Sequence, residues 1–362
     1  MIKKLPVALP VWTVAAPMVA GGLLLGLGQG GLSAWLLGLV TLTLVAAVLA
    51  AVHHAEVVAH RVGEPLGSLL LAVAVTVIEV ALIVSLMLAG GEGAPALARD
   101  TVFSAIMIVC NGIVGLCILL GGMRFKEVAF KVEGTSPVLA VLVALSVLTL
   151  VLPSFTTSSP GPTFSNAQMV FAGVASLLLY GVFVFVQTVR HRDYFLPADG
   201  ANDDAHASPP STPVAWVSLV LLMICLVGVV GLAKLLAPSI EAGVRQVGAP
   251  LAVVGVIIAM LVLLPETLAA VRAALANRLQ TSLNLALGSG IASIGLTIPA
   301  VVLLSLFMQN SLVLGLSHIH MVLLMLTFGV GTLTLGTGRA TVLHGAVHLV
   351  LFTVFLFLAI VP

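Results

Sequence analysis

The chain has 362 residues, 60% of them apolar and only 7% charged, whereas a soluble domain carries roughly 25% charged residues. This composition excludes a soluble fold and makes the bilayer the solvent for most of the chain. The net charge of +1 gives no footing for nucleic acid, and 5% aromatic residues leave few rings for stacking bases or sugars.

A spanning helix needs about 20 apolar residues. Apolar runs between charges and Gly/Pro breaks predict an all-α integral membrane protein of about eleven spans. They lie near residues 6–28, 32–55, 66–90, 101–121, 137–153, 168–189, 214–236, 247–270, 281–308, 312–335 and 340–361. The first comes after Met1-Ile2-Lys3-Lys4 and runs to about Leu27. That is longer than the roughly 7–15 residues of a signal-peptide core, so it is expected to be retained. The second ends at His53 and His54, followed by Glu56 and His60, which in a helix share a face. Gly63-Glu64-Pro65 opens the third, with Pro65 suited to a first turn and Glu64 to a helix N-terminus.

Glu79 lies in the middle of the third span, in Val75-Thr76-Val77-Ile78-Glu79-Val80, with no intramembrane Lys or Arg to pair with it. An ionised carboxylate in hydrocarbon costs on the order of several kcal/mol, which makes Glu79 a functional candidate. Asn111 is the sole amide of the fourth span. The three cysteines, Cys110, Cys117 and Cys225, sit inside apolar runs at spacings that fit neither a zinc site nor a disulfide framework. The eighth span holds its own deep acid, Glu266, in Leu263-Leu264-Pro265-Glu266-Thr267, closer to the expected helix end.

The ninth span is unusually polar, with Asn284, Ser289, Gly288, Gly290, Gly295 and Pro299. One reading is an unwound stretch whose carbonyls ligate a cation together with Asn284 and Ser289; the other is close packing on small residues. The last two spans carry His318, His320, His344 and His348, and His344 and His348 share a face. Imidazole ligates transition metals and titrates near neutrality, so Glu56, His60, His344 and His348 form a candidate proton path. The alternative is histidine capping helix ends at the interface.

With the N-terminus in the cytoplasm, eleven of the fourteen Lys and Arg fall on the inside: Lys3, Lys4, Arg61, Arg124, Lys126, Lys131, Arg190, Arg192, Arg272, Arg278 and Arg339. Only Arg99, Lys234 and Arg245 fall outside. The longest polar stretch, 190–213, reads as a cytoplasmic linker. It leaves an extra N-terminal helix (1–31), a first five-helix repeat (32–189) and a second (214–362), of opposite starting orientation, as in secondary transporters. Glu79 and Glu266 each sit in the second helix of a repeat. Aligned without gaps, Thr101 meets Thr281, Ser104 meets Asn284, and Gly115-Leu116 meets Gly295-Leu296.

His60-Arg61-Val62-Gly63-Glu64-Pro65-Leu66-Gly67-Ser68, Ile78-Glu79-Val80, Arg99-Asp100-Thr101, Pro265-Glu266-Thr267 and above all Asn277 to Pro299 resemble the bacterial ChaA-type calcium/proton antiporters of the cation/calcium exchanger superfamily. The resemblance implies eleven helices in inverted repeats, Glu79 and Glu266 as the repeat glutamates, exchange of Ca2+ for H+, and a bacterial inner membrane. Where the wider superfamily commonly has an Asn just before each glutamate, this chain has Val77-Ile78 and Leu264-Pro265. Na+ or K+ therefore stay open beside Ca2+ as cargo.

The expected mechanism is competition between cation and protons for two carboxylates facing each other at the bilayer midplane. Its partners are inorganic cations, protons and lipid, and no cofactor is expected. An intramembrane protease, superficially suggested by Gly288-Ser289-Gly290, has no HExxH to support it and no use for the repeat symmetry. A channel would conduct without proton coupling.

Overall fold

The computed structural model describes residues 9–27, 33–63, 66–89, 93–196, 209–308 and 312–361. Lys3, Lys4, Glu64, Pro65 and the 197–208 part of the linker lie outside these residues. The helices are α1 (Val11–Gly26), α2 (Ala34–Val62), α3 (Leu66–Ala89), α4 (Leu97–Met107), α5 (Val114–Phe125), α6 (Val132–Ser146), α7 (Asn166–Phe185), α8 (Arg192–Phe195), α9 (Thr212–Gln246), α10 (Ala252–Val262), α11 (Leu264–Leu275), α12 (Leu279–Met308), α13 (His318–Leu335) and α14 (Val342–Ile360). A π-turn, Ile108–Ile113, joins α4 to α5 in one continuous span.

Among the described residues eight spans are long and apolar enough to cross a membrane, and the bent pair α10–α11 makes a ninth. Shorter apolar helices at Val11–Gly26 and Ala72–Leu88 fall on the first and third expected runs. The protein is a multi-pass membrane protein. α2 runs past its expected end near residue 55 and takes Glu56 to His60 into the helix. It stops at Gly63, whose φ of 80° is open to a residue without Cβ.

The helices cluster into two compact units, each drawing on both halves of the chain: Met1–Gly90 with Asn202–Gln246, and Gly91–Ala201 with Val247–Pro362. In the first, α2 packs on α1, α3 and α9. α9 meets α1 through glycines, since a Cβ on Gly228 would lie 3.0 Å from the Ala20 Cβ and one on Gly231 2.6 Å from Leu24. Buried His54 bonds the Thr13 carbonyl through Nε2 at 3.0 Å, and Arg61 donates to the Thr212 hydroxyl at 2.8 Å.

The second unit is built from close helix crossings. A Cβ on Gly115 would stand 2.8 Å from the His348 Cβ, so α5 and α14 touch nearly backbone to backbone. α12 meets α7 the same way, with Gly295 against Tyr180 (2.9 Å), and α10 meets α4, with Gly255 against the Asp100 backbone (2.8 Å). Lipid offers no hydrophobic drive for helices to associate, so close approach through small residues carries the packing.

Loops of this unit sort into two ends. At one end β1 (Glu127–Ala129) pairs antiparallel with β2 (Arg339–Thr341), Lys131 N donates to Gln280 Oε1 at 2.7 Å, and Lys131 Nζ donates to the Asp193 carbonyl at 2.8 Å. At the other, Val313 N reaches the Pro95 carbonyl (3.0 Å), Gly315 N the Pro162 carbonyl (2.9 Å), and Arg99 the Gly315 carbonyl (3.2 Å). These are the same two groups of loops that alternating passage of the expected spans produces.

α12 is one helix from Leu279 to Met308, with Pro299 inside it. The unwinding anticipated there is absent from the structure. Two of its three glycines serve packing, Gly290 against Val109 of the π-turn and Gly295 against Tyr180, while a Cβ on Gly288 would meet nothing within 4 Å. The breaks fall elsewhere: in the π-turn Ile108–Ile113, in further π-turns at Val147–Val151 and Val186–Arg190 that end α6 and α7, and between α10 and α11.

Candidate cation and proton site

The α10–α11 span bends by 53°. Pro265, in the first turn of α11, has no N–H to offer the carbonyl four residues back, so the ladder is interrupted at that point. Thr267 rebuilds it by donating both its N–H (2.9 Å) and its hydroxyl (2.6 Å) to the Leu263 carbonyl. Glu266 comes directly after the break, half-buried in the first turn of α11. Because α11 continues to Leu275, Glu266 lies near the middle of the broken span rather than near its end. A half-helix N-terminus favours a carboxylate, and a half-helix C-terminus in mid-membrane presents carbonyls to a cation. The Leu263 break sets a helix C-terminus and a helix N-terminus side by side.

Glu79 belongs to the other unit. It sits in unbroken α3 and is 4% exposed, next to fully buried Ile78. One turn earlier, Thr76 turns its hydroxyl back to the Ala72 carbonyl at 2.9 Å.

Asn111 occupies the π-turn with no exposed surface. Its Nδ2 donates to Thr327 Oγ1 at 2.8 Å, and its Oδ1 lies 3.1 Å from His348 Nδ1. The other ring nitrogen of His348 lies 3.1 Å from Thr334 Oγ1. The π-turn is therefore bonded to α13 and α14 by a buried chain of four side chains. The sequence points to Asn111 and His348 separately and leaves Thr327 and Thr334 unnoticed. Their seven-residue spacing on one face of α13 was the available signal.

Asn284 sits toward the β1–β2 end. It donates to the Phe195 carbonyl at 2.5 Å and accepts from Gln280 at 2.9 Å. Ser289 is half-buried on α12, which packs against α11. His344 caps α14, receiving the Thr341 N–H on Nδ1 at 3.2 Å, in line with the capping alternative. Glu56 and His60 are exposed on α2. His53 lies 6.0 Å from the Trp12 ring, and His320 lies 4.7 Å from the Phe103 ring. Among the described residues no three of His, Cys, Asp and Glu gather as a metal cluster. A hard cation here would take carboxylate, carbonyl and hydroxyl oxygens.

The model of the family described as sodium/calcium exchanger protein matches residues 32–189 and 217–361. The candidate ionic transporter y4hA of Sinorhizobium fredii is 53% identical over 325 residues, 88% of this chain and 87% of that one. The sodium-potassium/proton antiporter ChaA of Escherichia coli is 39% identical over 308 residues, 84% of this chain and 83% of that one. Among solved structures, the H+/Ca2+ exchanger CAX superposes with a TM-score of 0.66 at 15% identity, covering 95% of this chain and 88% of that one.

Proposed function

The chain belongs to the sodium/calcium exchanger protein family, and from that premise we propose that it exchanges Ca2+ for protons, with Glu79 and Glu266 as the residues that carry either load. The supporting observation is Glu266, a carboxylate in the first turn of a helix broken in mid-span, beside the carbonyl end of α10. A divalent cation balances two carboxylates, and so do two protons. Either load neutralises the pair and lowers the cost of crossing an apolar barrier; the empty dianion keeps that cost. Obligate exchange is the consequence of this charge rule. Ser289, on the helix packed against α11, is the best match for a hydroxyl ligand among the residues that the sequence singles out. Asn111 and Asn284 enter as supports, because their amides are already bonded.

The second reading takes Na+ or K+ as cargo at the same carboxylates; the 39% identical Escherichia coli antiporter favours it. Purified protein in vesicles with an imposed pH gradient separates the two. Ca2+ uptake coupled to proton release is the expected result. Coupling to Na+ or K+ and none to Ca2+ would replace the first reading with the second, and conduction without proton coupling would remove both.

The orientation we propose has the N-terminus and the β1–β2 end in the cytoplasm of a bacterial inner membrane, supported by the eleven-to-three split of Lys and Arg. Cysteine introduced at Glu127 is expected to react only with reagent applied from the cytoplasmic side, and cysteine at Pro160 only from the opposite side. Reversal of the two results overturns the orientation.

A further inference from the structure

We propose that His348 is a positioning residue: through Asn111 it fixes the π-turn against α13 and α14, and so holds α11, with Glu266, in its working place. The proposal rests on the reading of Glu266 as a cation ligand. α11 packs directly against both the π-turn and α5. A π-turn inserts an extra residue into a helix and rotates the helical turns beyond it. The orientation of α5 against α11 therefore depends on the turn keeping its register. Asn111 is the one strongly polar side chain from Ile108 to Ile113, and His348 also bonds the backbone of Cys110 beside it, so side-chain hydrogen bonds meet the turn at these two neighbouring residues.

The donors and acceptors of the chain fit together in one direction. On one side the Asn111 amide faces Thr327 Oγ1 at 2.8 Å and the Met107 sulfur at 3.9 Å. Sulfur in a thioether accepts and never donates, so the NH2 group points that way. Oδ1 is left facing His348 Nδ1, which carries the hydrogen between them. His348 Nε2 then accepts from the Thr334 hydroxyl. All four side chains are at most 2% exposed. The His348 Cβ also lies in the α5–α14 crossing, where Gly115 leaves room for it. The neighbouring titratable side chain on α14 is His344, one turn earlier and engaged at Thr341. Removing His348 leaves Oδ1 of Asn111 buried without a donor, a loss that favours rearrangement of the turn. The counterpart of Asn111 in the second repeat is Ile291, in an α12 without a π-turn, so the arrangement belongs to the first repeat alone.

The test separates positioning from proton relay. His348→Leu is expected to weaken apparent cation affinity about tenfold per reconstituted transporter, the scale of losing an outer-shell support. His348→Asn puts an amide NH2 where Nδ1 stands and cannot relay protons by titrating. It is expected to recover most of the affinity and to keep the wild-type pH profile of exchange. Exchange lost in His348→Asn, or a displaced pH profile, would make His348 a relay and overturn the proposal. Wild-type affinity in His348→Leu would also overturn it. Should His348→Leu not fold, Thr327→Val decides, since it keeps the shape and removes the hydroxyl that orients Asn111. A loss of about threefold, the scale of one hydrogen bond, supports positioning, and unchanged affinity rejects it. Glu266→Gln is run in parallel. If that variant transports normally, the reading of the glutamate fails; if it is dead while His348→Leu is normal, positioning alone fails.

Discussion

Glu266→Gln and Glu79→Gln are each expected to abolish exchange, with rates at least about 100-fold down, beyond what loss of an outer-shell support costs. Glutamine keeps the length and hydrogen-bonding shape of the side chain and removes its charge and its titration. Both half-reactions then suffer, because the cation loses a carboxylate and the proton loses its carrier. The folded state is expected to survive: Glu79 is buried in an unbroken helix whose neighbours Ile78 and Leu82 are 1% exposed, and apolar packing carries that region. The measurement is flux in vesicles at matched protein content, with gel filtration in detergent as the folding control. Near-normal flux in either variant would take that residue out of the site.

Apparent cation affinity is expected to rise with pH. A carboxylate binds the metal in its ionised form, so metal binding expels protons. If one proton leaves per cation, affinity changes about 10-fold per pH unit, and if two leave, about 100-fold, until the carboxylates are ionised and the curve flattens. The slope thus reads the number of protons displaced. Histidines elsewhere in the chain complicate the curve, since an unperturbed imidazole titrates near 6.5. A variant lacking His344 isolates the contribution of the helix cap at Thr341 and is expected to leave the slope in place. Affinity that is flat from acid to alkaline pH contradicts direct competition and moves the protons to another site.

The helices were legible because apolar length alone selects them in a bilayer, and the two groups of loops came from counting passages. Pro265 announced the interruption next to Glu266, yet the apolar pattern put Glu266 near a helix end. Beyond the break, Ala269 to Leu275 mixes alanine with Arg272 and looks like a cytoplasmic exit, while the chain continues as helix. The glycines of α12 were ambiguous for a physical reason: flexibility and close packing ask for the same residue, and only the neighbour decides. Val109 and Tyr180 decide for packing at Gly290 and Gly295. The π-turn left no trace in the sequence. A shift from a 3.6-residue period to a wider turn is visible only against an alternation of polar and apolar faces, and α4–α5 is apolar almost all round. Asn111 was visible as an oddity, but its partners are 216 and 237 residues away, beyond the reach of local pattern.

That separation has a consequence for how the protein is made. Asn111 enters the membrane with the fourth span, and the side chain that accepts from its amide belongs to α13. The donor to its oxygen, His348, arrives 237 residues later. At about 5–20 residues per second of synthesis, the wait is roughly 12–47 s. For most of it a polar amide stands in a nascent bundle without Thr327 and His348, where unsatisfied groups are expensive. α5 likewise has no Gly345 to cross until the same moment. The second unit therefore cannot close as its first helices emerge; it closes only once α14 has entered the membrane, and α14 is the bolt.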